Sequence, residues 1–135
     1  VGISNIGFDI VTQEYYYGSI NEGTITNSII YGDLEQELVL DTLYPGTGLN
    51  FDFTFEYNLI RSATIQSGPE FANNLWNEDP LFVNPLNGDF LFYSTSPMHS
   101  LADNITFSNN VAEAFGIGIR GTFRTGIDVG AYEIL

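Results

Sequence analysis

The chain has 135 residues, of which 44% are hydrophobic and 15% aromatic, and it contains no cysteine. This composition indicates one domain with a hydrophobic core, and it excludes a disordered chain, a disulfide framework and a thiol nucleophile. Seventeen acidic residues against three arginines and no lysine give a formal net charge of −14, which argues against nucleic acid or anionic lipid as a partner. No apolar run approaches the roughly 20 residues of a membrane span, so no membrane insertion is expected.

The chain is predicted to be mainly β, because helical periodicity is scarce and short runs rich in Ile, Val, Phe and Tyr alternate with turn signals. The predicted strands are residues 6–12, 24–31, 51–61, 81–83, 90–93, 118–123 and 127–134. One short helix is predicted, with Ser96 as its N-cap and Pro97 at its first position.

Three consecutive tyrosines, Tyr15, Tyr16 and Tyr17, follow the first predicted strand. Side chains in a strand alternate between its two faces, so all three cannot point into a core and at least one is exposed or covers a partner. Because exposed aromatic rings can bind sugars, we predict a carbohydrate-binding surface at these three residues.

A second aromatic face occurs in "FDFTFEY", where alternation places Phe51, Phe53, Phe55 and Tyr57 together. Four aromatic side chains in a row exceed what a monomer normally exposes. We therefore interpret this face as core.

Two runs resemble each other, "TNSIIYGD" (26–33) and "EYNLIRSA" (56–63), and "SNIGFDIV" near the start is a weaker third copy. Each of the first two places a polar pair before two aliphatic residues, so that Ile29 and Ile30 precede Leu59 and Ile60 by thirty positions. A period of 20 to 50 residues is typical of stacked repeats that share a continuous core.

The segment between these runs, about residues 34–50, is predicted to be a loop insertion. Its Glu35, Glu37 and Asp41 could supply oxygen ligands to calcium, the one cofactor that the sequence suggests. The alternative is a solvated edge whose charges discourage strand pairing, and no calcium-loop spacing is present to favour the metal. His99, the only histidine, lacks partner ligands and is interpreted as structural or exposed.

The stretch "NEDPLFVNPLNGDFLFY" carries turn signals rather than a reactive centre. Pro80 biases Asp79 toward an extended conformation and should launch a strand. Asn87 and Gly88 can supply the positive φ of a tight reversal before Asp89, so this stretch is predicted to form a β-hairpin or strand pair.

The blocks "DPLFVNP", "NGDF", "SP" and "DVGAYE" together resemble the C-terminal region of secreted bacterial right-handed parallel β-helix repeat proteins. The matching residues with structural roles are Asp79, Pro80, Asn87, Gly88, Asp89, Ser96, Pro97, Asp128, Gly130 and Tyr132. The resemblance implies an all-β, right-handed parallel β-helix: final coils in residues 1–65, then a C-terminal capping segment of the same domain in residues 66–135 that contains the short helix. Upstream coils or another polypeptide would then stack on its N-terminal end.

The resemblance implies an extracytoplasmic protein, secreted or at the cell surface, in which this chain is a non-catalytic structural part that serves glycan binding or adhesion. The alternative is the C-terminal portion of a polysaccharide lyase or glycoside hydrolase whose catalytic coils lie upstream. No complete active site is predicted within the chain, because a lysine base is absent and the acid pairs Asp52 with Glu56 and Asp9 with Glu14 follow no motif.

Overall fold

Short β-strands, in which aromatic and β-branched residues are frequent, dominate the computed structural model, which describes residues 1–41, 48–99 and 101. The strands within this part are β1 (Gly2–Ser4), β2 (Ile6–Asp9), β3 (Glu14–Tyr17), β4 (Ile20–Thr26), β5 (Ile29–Ile30), β6 (Val39–Asp41), β7 (Phe51–Glu56), β8 (Leu59–Ile60), β9 (Leu75–Trp76), β10 (Phe82–Asn84) and β11 (Asp89–Phe92). The predicted strands at 118–123 and 127–134, with Asp128, Gly130 and Tyr132, lie outside the described residues.

The strands form separate sheets of two or three strands. Strand β1 pairs with β6, β4 pairs with β7, and β8 pairs with both β5 and β9, all in parallel. Strands β2 and β3 form one antiparallel hairpin, and β10 and β11 form another. The prediction of a right-handed parallel β-helix is therefore wrong, since the described residues contain no solenoid.

A solenoid would require each turn of chain to lay the same set of strands on the turn before. The two antiparallel hairpins break that pattern. The step between paired strands also changes, because Ser28 and Asn58 at the first step lie 30 residues apart, whereas Asn58 and Asn74 at the second lie only 16 apart.

The repeat spacing nevertheless located one strand pair, since Ile29 lies beside Leu59 and Ile30 beside Ile60. The weak third copy "SNIGFDIV" does not join this sheet and instead forms β2 of a hairpin. The third parallel strand is β9, so the sheet continues across the predicted boundary at residue 65.

A recurrent turn precedes each of the three strands in this sheet. Asn27, Tyr57 and Asn73 all have a positive φ, between 52° and 58°, and each is followed by a polar residue and then the strand. This left-handed residue redirects the chain in the same way three times, which brings the polar residues together and aligns the strands.

Two asparagine side chains bond these turns to one another. The fully buried Asn58 accepts a hydrogen bond at Oδ1 from the Ser28 N–H (2.9 Å) and donates from Nδ2 to the Ile25 carbonyl (2.9 Å). Asn74 Oδ1 accepts from the Asn58 N–H (2.9 Å), and Asn74 Nδ2 donates to the Phe55 carbonyl (2.7 Å). The amide groups thus accept from N–H groups in the turns and donate to carbonyls of the paired strands β4 and β7.

Phe55 is the centre of the larger core cluster, which also contains the buried Ile30, Leu38 and Ile60. Its ring stacks on Phe71 at a centroid distance of 5.3 Å and an interplanar angle of 13°. The centre of the Phe53 ring lies 5.9 Å from that of Phe55 and 5.3 Å from that of Phe51. The Trp76 and Phe71 ring centres lie 6.2 Å apart. The interpretation of the "FDFTFEY" face as core is confirmed for Phe55 and the packing of Phe53, whereas Tyr57 leaves the strand at its left-handed turn.

The smaller core cluster centres on the buried Leu59, Phe92 and Met98. Hairpin β10–β11 covers it, with Asn84 opposite Asp89, and Gly88 takes a φ of 74° in the reversal, as the Asn-Gly predicted. Leu81 has a positive φ, with its N–H bonded to Asp79 Oδ1, so the strand begins at Phe82 rather than directly after Pro80.

The predicted helix at Ser96 does not form. The Ser96 carbonyl accepts from the His99 N–H at 3.2 Å, an i→i+3 bond, and residues 97–99 form a turn. The buried Ser96 hydroxyl instead donates to the Pro80 carbonyl (2.7 Å) and accepts from the Met98 N–H (3.2 Å). Ser96 therefore ties this turn to the start of the hairpin segment and seats Met98 in the core.

Candidate functional site

Hairpin β2–β3 carries the predicted sugar-binding tyrosines. Its register pairs Ile6 with Tyr17, Gly7 with Tyr16, Phe8 with Tyr15 and Asp9 with Glu14. Residues directly opposite each other share a face, and successive pairs alternate between faces. The three tyrosines are therefore split, with Tyr15 and Tyr17 on one face and Tyr16 on the other.

A side-chain cap holds the hairpin tip. Asp9 Oδ1 accepts hydrogen bonds from the Val11 N–H at 2.7 Å and the Thr12 N–H at 3.2 Å, and Gln13 closes the turn with a φ of 58°. The bonds from Val11 and Thr12 hold the pKa of Asp9 below its ordinary value, because they stabilise the carboxylate form. The tip thus presents a fixed negative charge at neutral pH.

The first face of the hairpin is apolar. The Phe8 and Tyr15 rings meet at a centroid distance of 4.9 Å with a tilt of 52°, and Phe8 and Tyr15 are 51% and 64% exposed. Cross-strand aromatic pairs of this kind stabilise a hairpin. The two rings contact each other and both stay exposed, Tyr15 as much as Tyr16, so exposure does not distinguish the two faces. This face differs from the second in that its cross-strand pairs contain no acid.

The second face presents one aromatic ring beside two acids. Tyr16 is 63% exposed, and its ring lies across the backbone of Gly7: a Cβ atom at Gly7 would come within 2.0 Å of Tyr16 Cζ. Asp9 and Glu14 occupy the next pair on the same face. This arrangement supplies an exposed ring that lies against the strand at Gly7, with an acidic pair two residues further along the same face.

The prediction that at least one of the three tyrosines is exposed is confirmed by Tyr15 and Tyr16. The sequence did not single out Gly7, which makes room for the Tyr16 ring. A glycine within a strand often marks a close approach by another group, so its place in "NIGFD" was a usable signal.

The three acids proposed as calcium ligands have separate surroundings. Glu37 Oε1 accepts a hydrogen bond from the Leu34 N–H at 2.8 Å, Glu35 lines a cavity beside Arg61, and Asp41 ends β6. Among residues 1–41, 48–99 and 101, no three His, Cys, Asp or Glu side chains are grouped to hold a metal ion. The geometry of the described residues therefore adds no support to the calcium prediction.

The acid pairs considered for glycoside hydrolysis differ in placement. Asp52 and Glu56 stand four residues apart in the single strand β7, so their Cα atoms lie about 13 Å apart, and the carboxyl groups of a hydrolase lie about 5–10 Å apart. Asp9 and Glu14 face each other at the hairpin tip, where Asp9 is exposed and its Oδ1 already accepts from the Val11 and Thr12 N–H groups. His99 is exposed in the turn after Ser96.

Comparison of the chain with protein-family models, with curated proteins and with solved structures found no match. The resemblance to β-helix proteins thus stays a prediction from the quoted motifs. Within the described part of the chain, no helix has the length and apolar character needed to cross a membrane.

Proposed function

We propose that this chain is a non-catalytic glycan-binding module and that the Tyr16 face of hairpin β2–β3 is its binding surface. The observation that carries the proposal is the Tyr16 ring, 63% exposed and laid across Gly7. A ring held against the backbone is already oriented before a ligand arrives, so binding costs little side-chain entropy.

The chemistry of this face suits a sugar ring. The face of an aromatic ring carries partial negative charge, and the C–H groups on one side of a pyranose present a flat, weakly positive surface that can stack on it. The carboxylates of Asp9 and Glu14 are hydrogen-bond acceptors only, which matches the donor capacity of sugar hydroxyls. The net charge of −14 favours neutral over acidic glycans.

The proposal extends to location and assembly. An extracytoplasmic place, secreted or at the cell surface, follows from the proposed ligand and from the motif resemblance, and fractionation of the source cells tests it. In the described residues β4 and β5 each pair on one side only, so their other edges offer N–H and C=O groups to a further strand from upstream chain or another polypeptide.

Substitution of Gly7 by alanine is the decisive test, because it displaces the Tyr16 ring without removing any aromatic group. The crowding atoms are the far end of the Tyr16 side chain, which can rotate into solvent, so the fold should survive. The wild type should bind one or more neutral oligosaccharides on a glycan array, and titration with the best of them should show at least about tenfold weaker binding by Gly7→Ala, or about 1.4 kcal/mol.

Matched variants separate this effect from general damage. Gly18→Ala adds a methyl group where nothing lies within 4 Å, and Tyr93→Ala removes an exposed ring directly after β11; both should bind like the wild type. Tyr16→Ala should abolish binding and Tyr16→Phe should retain it. Absence of any glycan ligand, or unchanged binding by Gly7→Ala, would contradict the proposal.

A further inference from the structure

The chain has three arginines and no lysine, and Arg61 is the one arginine that lies within the described residues. It directly follows the fully buried Leu59 and Ile60, and its backbone N–H donates to the Ile30 carbonyl at 2.8 Å. Its backbone position is therefore set by the core sheet and not by a surface loop.

The guanidinium group is held by two contacts. Nη1 donates a hydrogen bond to the Gly32 carbonyl at 2.6 Å, and Cζ lies 5.3 Å from the centre of the Tyr31 ring. The guanidinium has five N–H donors, so one bond leaves donors available for a planar acceptor such as a carboxylate. The Tyr31 contact restrains the group without neutralising its charge.

Two cavities share Tyr31 and Arg61. The first, of about 300 Å³, has an apolar wall of Phe82, Pro85, Leu86 and Phe90, and Asp33 also lines it. The Phe82 and Phe90 rings meet edge to face at 5.4 Å, and Leu86 is 97% exposed.

The second cavity, of about 360 Å³, is lined further by Glu35, Ser62, Ala63 and Asn77 and is more polar. By contrast, the first cavity combines the Arg61 cation, the Asp33 carboxylate and an apolar wall. Its volume lies at the lower end of the range found for small-molecule sites.

We infer that the first cavity binds a free apolar α-amino acid. The α-carboxylate would lie on Arg61, the ammonium group on Asp33, and the side chain against Leu86 and Phe90. The carboxylate and the ammonium group of a zwitterion can pair with Arg61 and Asp33 respectively. A simple carboxylate would leave Asp33 unpaired, and a simple amine would leave Arg61 unpaired. A zwitterion also carries no net charge, so the field of a −14 chain does not repel it. The cavity volume suits a molecule with one small ring or branched chain.

Isothermal titration of the full chain with L-phenylalanine and two analogues tests this inference. 3-Phenylpropanoate lacks the ammonium group and 2-phenylethylamine lacks the carboxylate, and each should bind at least about tenfold more weakly than L-phenylalanine, since each loses one charge-assisted contact. No detectable binding of L-phenylalanine, or equal binding of either analogue, overturns the inference.

Variants locate the binding. Leu86→Ala changes an almost fully exposed residue, so the fold should persist while L-phenylalanine binding weakens by about three- to tenfold through lost apolar contact. Leu34→Ala, which changes an exposed leucine that lines neither cavity, is its control. Unchanged binding by Leu86→Ala overturns the inference.

Acid variants identify the partner of the ammonium group. Asp33→Asn should weaken binding of L-phenylalanine but not of 3-phenylpropanoate, and Glu35→Gln, in the other cavity, should change neither. If the two substitutions weaken L-phenylalanine binding equally, the ligand responds only to the overall negative charge of the protein. That result would overturn the assignment of Asp33 as the partner of the ammonium group. Arg61→Lys, which keeps the charge but loses the forked geometry, should weaken both carboxylate-bearing probes.

Discussion

Replacement of Asn58 by alanine tests whether the bonded turns hold the parallel strands in register. The side chain is fully buried and satisfies the Ser28 N–H and the Ile25 carbonyl, each at 2.9 Å. Alanine removes this partner of the Ser28 N–H, at a cost of about 1–3 kcal/mol for a group that water cannot reach, and it also removes the bond to the Ile25 carbonyl, which lies in the paired strand β4. Because a carbonyl can find a second partner more easily than an N–H, we expect a total loss of about 2–4 kcal/mol.

A loss of this size is a large fraction of the roughly 5–15 kcal/mol that stabilises a typical domain. For a chain of this length it corresponds to a fall in Tm of about 6–16 °C. The single tryptophan, Trp76, lies in β9 of the same sheet, so urea unfolding followed by its fluorescence reports the change directly, and thermal unfolding by circular dichroism gives Tm.

Asn58→Asp sharpens the test, because it keeps the acceptor for Ser28 but points an oxygen at Asn74 Oδ1, which now lies 3.0 Å from Nδ2. It should destabilise the fold at least as much as Asn58→Ala at neutral pH. The control is Asn21→Ala, which removes an exposed amide bonded only to Asn50 Nδ2 among the described contacts, with an expected change within about 0.5 kcal/mol. An Asn58→Ala protein as stable as this control would refute the account of the turns.

Two further predictions concern the core and the hairpin tip. Phe55→Ala should lower the free energy of unfolding by about 3–5 kcal/mol, because it empties the centre of the stacked aromatic group; urea unfolding measures this, and Phe8→Ala, at an exposed ring, should cost clearly less. The folded pKa of Asp9 lies below its ordinary value of 3.8, so its stabilisation of the tip is present above pH 3.8 and is lost as the pH falls through the lower folded pKa. NMR shifts of the Val11 and Thr12 amides should titrate in that acidic range and not in Asp9→Asn, and a midpoint above pH 3.8 would contradict the capping role.

Local patterns predicted several parts of the fold. Alternation in "FDFTFEY" identified the core face of β7, the Asn-Gly at 87–88 identified the reversal between β10 and β11, and the shared polar pair before two aliphatics placed β5 beside β8. Each of these depends on neighbouring residues or on a direct match between two short runs, which a sequence displays openly.

The overall topology was not predictable in this way. The repeat suggested a solenoid, yet a repeated turn fixes only how two strands meet and says nothing about what the chain between them does. "SNIGFDIV" folds back on the tyrosine run instead of stacking. "NNLW" has the same pattern as the other turns, but it follows after sixteen residues, so a thirty-residue spacing does not predict it.

The sequence by itself determined the strand-rich class, the acidic surface and the exposure of part of the tyrosine run, because composition and two-residue alternation decide these locally. Only the tertiary structure decided that Tyr16 lies across Gly7 and that Arg61 meets Tyr31 and the Phe82–Phe90 hairpin. Those contacts join residues from different strands, and their geometry depends on strand register and on left-handed turns that no short stretch of sequence specifies.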